Sequence, residues 1–514
     1  MSTLLRALSS RCLSKRPLRI HTRHLASEHG LKHGLKPTKF GQPLFASHPH
    51  LMNPNETTPG IPADEYERRR KALMDELPDG SVVVVVSGQV KYMSGQIFYK
   101  FRQASDFWYL TGFEEPDSAV ILEKNSSSRG YRMLMFTLGK DSHREKWDGA
   151  RTSPQDVLQH FKADDAYSIA AFPTVLKSVL SKCTSVLVDL PPTASLSRRG
   201  RSSTYQGLLK DLSPIARTTR VEYDTIMDSL SSKMRQPLAP KLAKIRAVKS
   251  EPEQQLMRCA ADISAHAHTK TMRFTEPDMS EHAVAAHFEY LCARDGSQRP
   301  AYVPVVASGP NALIIHYTSN NQVIRKDEMI LIDAGCEYNG YASDITRTFP
   351  ARGTFSSAQA ALYDAVLQAQ KYLVTLCTES AGLSLAHIHR ESVYELRKRL
   401  NKIGFNLQGP SGMSDLEHEL YPHYIGHPVG IDLHESAHLD RNAPLKAGMV
   451  VTIEPGIYVP PSPIFPKEFH NIGIRIEDEI LVGKDHPTVL SVAAPKEIAD
   501  VEGACRGTLG LEPY

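Results

Sequence analysis

The sequence predicts a mixed α/β protein, shading into α+β, with two domains. Three observations predict it. Helix-like and strand-like stretches alternate in the first part of the chain, the pattern of an α/β layer. Further on, an Asn339-Gly340 hairpin signal opens a region where strands and helices mix. The 514 residues, 41% hydrophobic and 23% charged, suffice for two or three buried cores.

Residues 1–25 stand apart. Arg6, Arg11, Lys15, Arg16, Arg19 and Arg23 are basic, and no acid precedes Glu28. Leu4, Leu5, Leu8 and Cys12 share one helical face, with Arg11 close to it. Such a start reads as a mitochondrial transit peptide. A basic arm for nucleic acid is the competing reading, but no lysine cluster or interleaved aromatic supports it. A nuclear signal, with the nucleus as a second site, is a third. Those basic residues, six without an acid among the first 24, take the formal charge from −3 to +3. The body is therefore near neutral, and no nucleic-acid partner is expected.

Residues 26–61, rich in His, Pro, Gly and Asn, form an extended lead-in without periodicity. An N-terminal domain spans 62–234. It holds a helix from Ala63 to about Leu77, the strand Ser81–Val86, and strand-like Tyr131–Phe136 and Ser185–Leu190. The stretch RQPLAPK, Arg235–Lys241, reads as the core of a linker over 235–246. A second domain spans 247–501 and opens with a charged helical segment, 247–272. A helix follows over Ser280–Arg294, with Ser280 as N-cap and Val284, Phe288 and Leu291 along one face. Residues 502–514 form a C-terminal tail.

No apolar run approaches the ~20 residues that span a bilayer; the longest obvious one is the strand Val82–Val86. The seven cysteines are scattered, odd in number and form no C-x-x-C pair. That pattern fits a reducing compartment and argues against a disulfide framework or a structural zinc site. The sequons at Asn55 and Asn125 are then chance.

The informative stretch is LIDAGCEYNGYASDITRTFP, Leu331–Pro350. Around a two-residue Asn339-Gly340 loop, Asp333 faces Thr346 and Asp344 faces Gly335. The two aspartates then share a face as diagonal neighbours, roughly 7–8 Å apart at Cα, while Cys336 points to the other face. Buried carboxylates this close repel unless a cation lies between them. Downstream, YPHYIGHPVGIDLHE supplies His423, His427 and His434. VVTIEPGIYV reads as an apolar strand holding Glu454 and ending at Pro455-Gly456. IGIRIEDEILV alternates Ile472, Ile474 and Ile476 with Arg475, Glu477 and Glu479, so Arg475 and Glu477 share a strand face. Each signal alone is weak. Together, four carboxylates and a histidine in apolar segments make a ligand supply for two divalent cations, with charges that balance.

These residues, in this order, resemble the metal site of the pita-bread metallopeptidases: methionine aminopeptidase, aminopeptidase P and prolidase. The resemblance runs from about Ala247 to Val501 and places Asp333, Asp344, His427, Glu454 and Glu477 at the five metal-ligand positions. It implies two pseudo-symmetric αβ halves around a curved sheet. It puts His316 and His434 at substrate-contacting positions, His423 near the leaving group, and Tyr458 and Arg475 beside the ligands. FRQASDFWYLTGFEEPDSAVIL, Phe101–Leu122, resembles the N-terminal domain of aminopeptidase P. Upstream of it, HPHLMNPNETTPGIPADEYERRRKAL, His48–Leu73, is similar to the start of the mitochondrial branch, the intermediate-cleaving peptidases. Methionine aminopeptidases generally lack this first domain, and creatinase lacks the ligands.

The resemblance implies a dinuclear metalloaminopeptidase, with Mn²⁺ favoured. It implies action on the N-termini of peptides or imported mitochondrial proteins, in the matrix or at the inner membrane, and a homo-oligomer. Its catalytic residues are His434, which would stabilise the oxyanion, Glu454, which would move a proton, and His316; His316, His423, Tyr458 and Arg475 would bind or orient substrate. Arg23-His24-Leu25-Ala26 has the Arg-x-bulky-small pattern left by double processing. Competing readings are a prolidase or general Xaa-Pro aminopeptidase, and a pita-bread module that binds without catalysis.

Overall fold

The computed structural model describes residues 38–188, 235–510 and 512–513. The transit peptide, the Arg23–Ala26 pattern and the end of the first domain at Met234 lie outside the described residues.

The lead-in is less extended than its composition suggests. Phe40 and Leu44 are buried, and Glu56–Thr58 pairs with Ile61–Pro62. Helix α1 (Ala63–Asp75) follows, then strand β1 (Ser81–Val86) and helix α2 (Ser105–Thr111). Strands β2 (Ala119–Lys124), β3 (Tyr131–Thr137), β4 (Asp165–Ser168) and β5 (Ser185–Val188) complete most of a six-stranded sheet. Its sixth strand is β6, Arg235–Pro237, parallel to β5 at the edge. The segment expected to be a linker is thus regular structure, continued by helix α3 (Ala239–Ala247). Its prolines misled the sequence reading. Pro237 sits on an edge strand and Pro240 in a first helical turn, where a missing N–H costs little.

The second domain begins with α4 (Glu251–Phe274), closed at its start by a Ser250–Glu253 capping box, and α5 (Glu281–Arg294), capped by Ser280 as expected. Strand β7 (Val305–Ser308) pairs with β8 (Met329–Asp333). Next come β9 (Cys336–Tyr338), β10 (Tyr341–Ala342) and β11 (Thr346–Pro350). The hairpin register is the expected one: Asp333 faces Thr346, Tyr338 faces Tyr341, and Asn339 and Gly340 both have positive φ, as a type I′ turn requires. The hairpin is not continuous, however. Its ladder breaks between β8 and β9 on one arm and between β10 and β11 on the other.

Helices α6 (Ser357–Thr375) and α7 (Leu385–Lys402) lead to a second broken hairpin. The strand expected to end at Pro455-Gly456 stops one residue before Glu454, as β12 (Val450–Ile453), and a second strand, β13 (Gly456–Val459), follows. IGIRIEDEILV is likewise β14 (Ile472–Arg475) and β15 (Asp478–Leu481). Ile453 faces Asp478 and Gly456 faces Arg475, so one register runs through this break too. Each half of the domain is thus a broken hairpin backed by helices. The core is continuous across Phe288, Ile332, Phe349, Val366 and Ile474. Helix α8 (Ile498–Arg506) carries the chain into the expected C-terminal tail. That tail is anchored: the Pro513 carbonyl accepts from His287 Nε2 at 2.9 Å.

Candidate metal centre

All four carboxylates of the ligand set lie at the breaks. Asp333 ends β8, Asp344 lies between β10 and β11, Glu454 between β12 and β13, and Glu477 between β14 and β15. The sequence explains both interruptions. A Cβ at Gly335, opposite Asp344, would sit 1.9 Å from the Ser343 carbonyl oxygen, so the arms approach where only glycine fits. In the second hairpin, Pro455 has no N–H to give to a ladder. Freed from regular pairing, the four side chains turn toward one another.

The breaks are held in line by bonds between the hairpins. Glu477 N–H donates to the Thr346 carbonyl (3.1 Å) and Asp344 N–H to Glu479 Oε1 (2.6 Å). This separates three consecutive acids. Glu477 faces the cavity, and Glu479 caps the Asp344 amide. Asp478 is consumed by Arg347 (2.7 Å), Ser491 (2.7 Å), Gln370 (2.9 Å) and Lys496.

His427 comes from the segment beside β12, where its backbone exchanges bonds with Thr452. A carbonyl only accepts, so His427 Nδ1 carries the proton that meets the Pro428 oxygen at 3.1 Å. That leaves Nε2 turned to Asp344 (3.2 Å) and Glu454 (3.8 Å). Ligand atoms of Asp344, His427 and Glu477 lie within 4.8 Å of one another. Asp333 stands alongside, engaged by Arg475 (2.7 Å) and by the Tyr302 hydroxyl (2.6 Å), which also lies 2.7 Å from Asp344.

Arg475 is fully buried and ties the group together. Besides Asp333, it donates to Thr346 Oγ1 (3.1 Å), which itself donates to Glu477 (2.6 Å), and to the Tyr458 hydroxyl (2.6 Å). Tyr458 then donates to His423 Nε2 (3.0 Å), whose Nδ1–H meets the Tyr424 carbonyl (2.8 Å).

The five candidate ligands line one cavity of about 870 Å³, together with His316, His423, His434 and Arg475. Tyr458 does not line it; it is buried behind, reaching the cavity only through its hydroxyl partners. The His427 and His434 rings are 4.1 Å apart. Another cavity, about 550 Å³, lies between the lead-in, α2 and the Asn339-Gly340 turn, and contains none of these residues. Tyr302 lines the metal-centre cavity but escaped the sequence reading. A lone tyrosine ahead of an apolar strand carries no signal; only the fold sets it between two aspartates.

The electrostatics fit a divalent cation. Burial, then repulsion from Asp344, Glu454 and Asp333, pushes Glu477 well above the usual carboxylate range. Burial lifts Glu454 to about 7, against the pull of His427 and Arg475. Burial would lower His427, but Asp344 and Glu454 outweigh it and hold the imidazole at about 9. Burial, then Arg475, drops His423 to about 3, so it is a neutral partner for Tyr458. Among the described residues, Arg475 alone brings permanent positive charge to the four converging carboxylates, and oxygen-rich ligands with one imidazole suit a hard or borderline divalent ion.

Comparison with known proteins shows the family. The model for metallopeptidase family M24 matches residues 255–484, and that for the aminopeptidase P N-terminal domain matches residues 66–188. Intermediate cleaving peptidase 55 of Saccharomyces cerevisiae is 37% identical over 477 residues, 93% of this chain and 90% of the yeast protein. Mitochondrial intermediate cleaving peptidase 55 of Arabidopsis thaliana is 36% identical over 463 residues, 90% and 87% of the two chains. The crystal structure of the yeast peptidase without its N-terminal 58 residues matches with a TM-score of 0.76 at 34% identity, over 88% of this chain and 99% of that one. Similarity of this extent, over both domains, makes the chain a member of metallopeptidase family M24 and a divalent-metal aminopeptidase of the aminopeptidase P type.

Proposed function

We propose that this metalloaminopeptidase trims a single residue from the N-terminus of proteins imported into mitochondria, after their presequences are cut. Support comes from the basic, acid-free start of the chain and from the intermediate cleaving peptidases it resembles over nearly their whole length. The observation that carries the chemistry is the convergence of four carboxylates and one imidazole on one cavity.

In this reading Asp333, Asp344, His427, Glu454 and Glu477 hold two divalent cations, and Mn²⁺ suits the donors. Such a pair lowers the pKa of water and polarises the scissile carbonyl. The remaining work falls to the protein. Glu454 receives the water's proton at a carboxylate oxygen and passes it to the departing amine. His434, kept neutral by burial and by His427, donates an N–H to the carbonyl oxygen as charge develops there. His316 positions the substrate backbone. Asp333 receives the free α-amino group, which limits cleavage to the N-terminus. His423, Tyr458 and Arg475 orient Asp333 and the leaving-group side through their hydrogen-bond chain. The division into 62–234 and 247–501 belongs to the same proposal.

A general Xaa-Pro aminopeptidase is the second reading, favoured by the match to the aminopeptidase P N-terminal domain. Metal-loaded enzyme and a peptide panel varied at the first two residues separate them. Release of a bulky first residue without proline at the second position is expected; activity confined to Xaa-Pro peptides or dipeptides would overturn the proposal. Destination is tested by a reporter fused to residues 1–60; removal of Leu25 from the enzyme's own import intermediate, by itself or another copy, belongs to the same proposal and is tested by sequencing the mature N-terminus, with a start at Ala26 expected.

A further inference from the structure

His434 makes no hydrogen bond among the described residues, and its one aromatic ring contact there is with His427, 4.1 Å away. Its place is therefore set by the turn that carries it. Glu435 N–H donates to the Pro428 carbonyl (2.9 Å), and the Glu435 carboxylate folds back to accept the Asp432 N–H (3.1 Å). A Cβ at Gly430 would lie 2.6 Å from that carboxylate, so the folded-back side chain packs directly over the glycine.

The acids on either side of His434 are gripped from outside the turn. Arg246, on α3, takes both oxygens of Glu435, from Nε at 2.9 Å and from an η nitrogen at 3.0 Å. The same guanidinium reaches Asp432 (2.7 Å) and Asp106 of α2 (2.6 Å). Ser105 donates to Asp432, and Arg102 donates to the Ile431 carbonyl (2.7 Å). Arg246 and Glu435 side chains are 6% and 1% exposed, so this is a dry contact and not a solvated surface pair. Ser105, Asp106 and Arg102 all belong to the N-terminal domain.

We propose that Arg246 is a positioning residue: with Asp106 and Ser105 it fastens the turn bearing His434 to the N-terminal domain, which thereby places a histidine in the catalytic cavity of the other domain. The inference rests on the role given to His434 above. It explains how the first domain, which contributes no candidate ligand, affects chemistry. Arg246→Lys keeps the charge but loses the planar fork that spans three carboxylates.

The test measures kcat, KM, bound metal and melting temperature for Mn²⁺-loaded Arg246→Lys, for Asp106→Asn, which spares the buried fork, and for each combined with His434→Ala. A displacement of about 1 Å at a catalytic group can cost about 100-fold. Arg246→Lys should lower kcat by about 10- to 100-fold, and Asp106→Asn by less, with bound metal unchanged. In the His434→Ala background neither should lower kcat further, because both act through that ring. Wild-type kcat in folded, metal-loaded Asp106→Asn and Arg246→Lys overturns the inference, as does an equal loss with and without His434. His434→Ala distinguishes the two layers: if it alone retains wild-type kcat, the reading of His434 falls as well. Should Arg246→Lys fail to fold, Asp106→Asn decides by the same criteria.

Discussion

Tyr302 has one proton to donate and two carboxylate oxygens within 2.7 Å, on Asp333 and Asp344. Burial, then the charges of both aspartates, raises its pKa well above normal, so the hydroxyl stays protonated. It fixes the separation of two candidate ligands that come from different arms of a broken hairpin. Tyr302→Phe keeps the ring and removes that link. Metal affinity, by titration with Mn²⁺, should fall about 10- to 100-fold while the fold survives; unchanged affinity would mean the aspartates are held otherwise. Asp344→Asn and Glu454→Gln remove donors themselves. Peptide hydrolysis should drop to background with little change in circular dichroism, and near wild-type turnover at controlled metal content would refute the roles assigned to them.

At the scale of elements, the two hairpins do the same thing: each keeps one register but gives up its ladder where the carboxylates are needed. Gly335 makes the first interruption possible, since any Cβ there would press on the Ser343 backbone. Gly335→Ala forces the arms apart. Overpacking of this kind costs about 1–3 kcal/mol, and here it also displaces Asp344. Denaturant midpoint and Mn²⁺ affinity should therefore fall together. A loss of stability with unchanged affinity would show that the break does not set the ligand spacing.

At the scale of the molecule, the two domains share a core. Trp108 packs edge-on against Tyr341 with ring centroids 5.8 Å apart, and Arg69 bonds the Tyr341 hydroxyl at 3.0 Å. The Arg246 cluster is the polar part of this junction. Burial would raise Asp432, but Arg246, then Ser105 and Arg102, hold it below the usual range. A depressed carboxylate contributes stability above its unfolded pKa of about 3.9 and loses it as pH falls through the lower folded value. Asp432→Asn should therefore melt lower than wild type at neutral pH, and the gap should close below about pH 4. A gap that persists there would assign the loss to packing. Metal acts on the same whole. Chelation should lower the melting temperature, and Mn²⁺ should restore it in a concentration-dependent way, by about 2.7 kcal/mol at 100 times Kd.

What the sequence determined by itself was local or periodic. Asn339-Gly340 dictates a turn through its positive φ values, and with it the pairing of Asp333 with Thr346. Ser280 announces a helix start, and five acidic or imidazole side chains stand out from apolar surroundings. Tertiary structure decided which polar groups are spent on one another. In Glu477-Asp478-Glu479, alternation sets Asp478 apart but cannot tell Glu477, which faces the cavity, from Glu479, which caps an amide. Nor could RQPLAPK reveal an edge strand, or RPAYVP the tyrosine between two aspartates. Turns and caps are set by a few neighbouring residues, whereas the fate of a buried charge depends on partners tens to more than a hundred positions away, and only the packed chain brings those into reach.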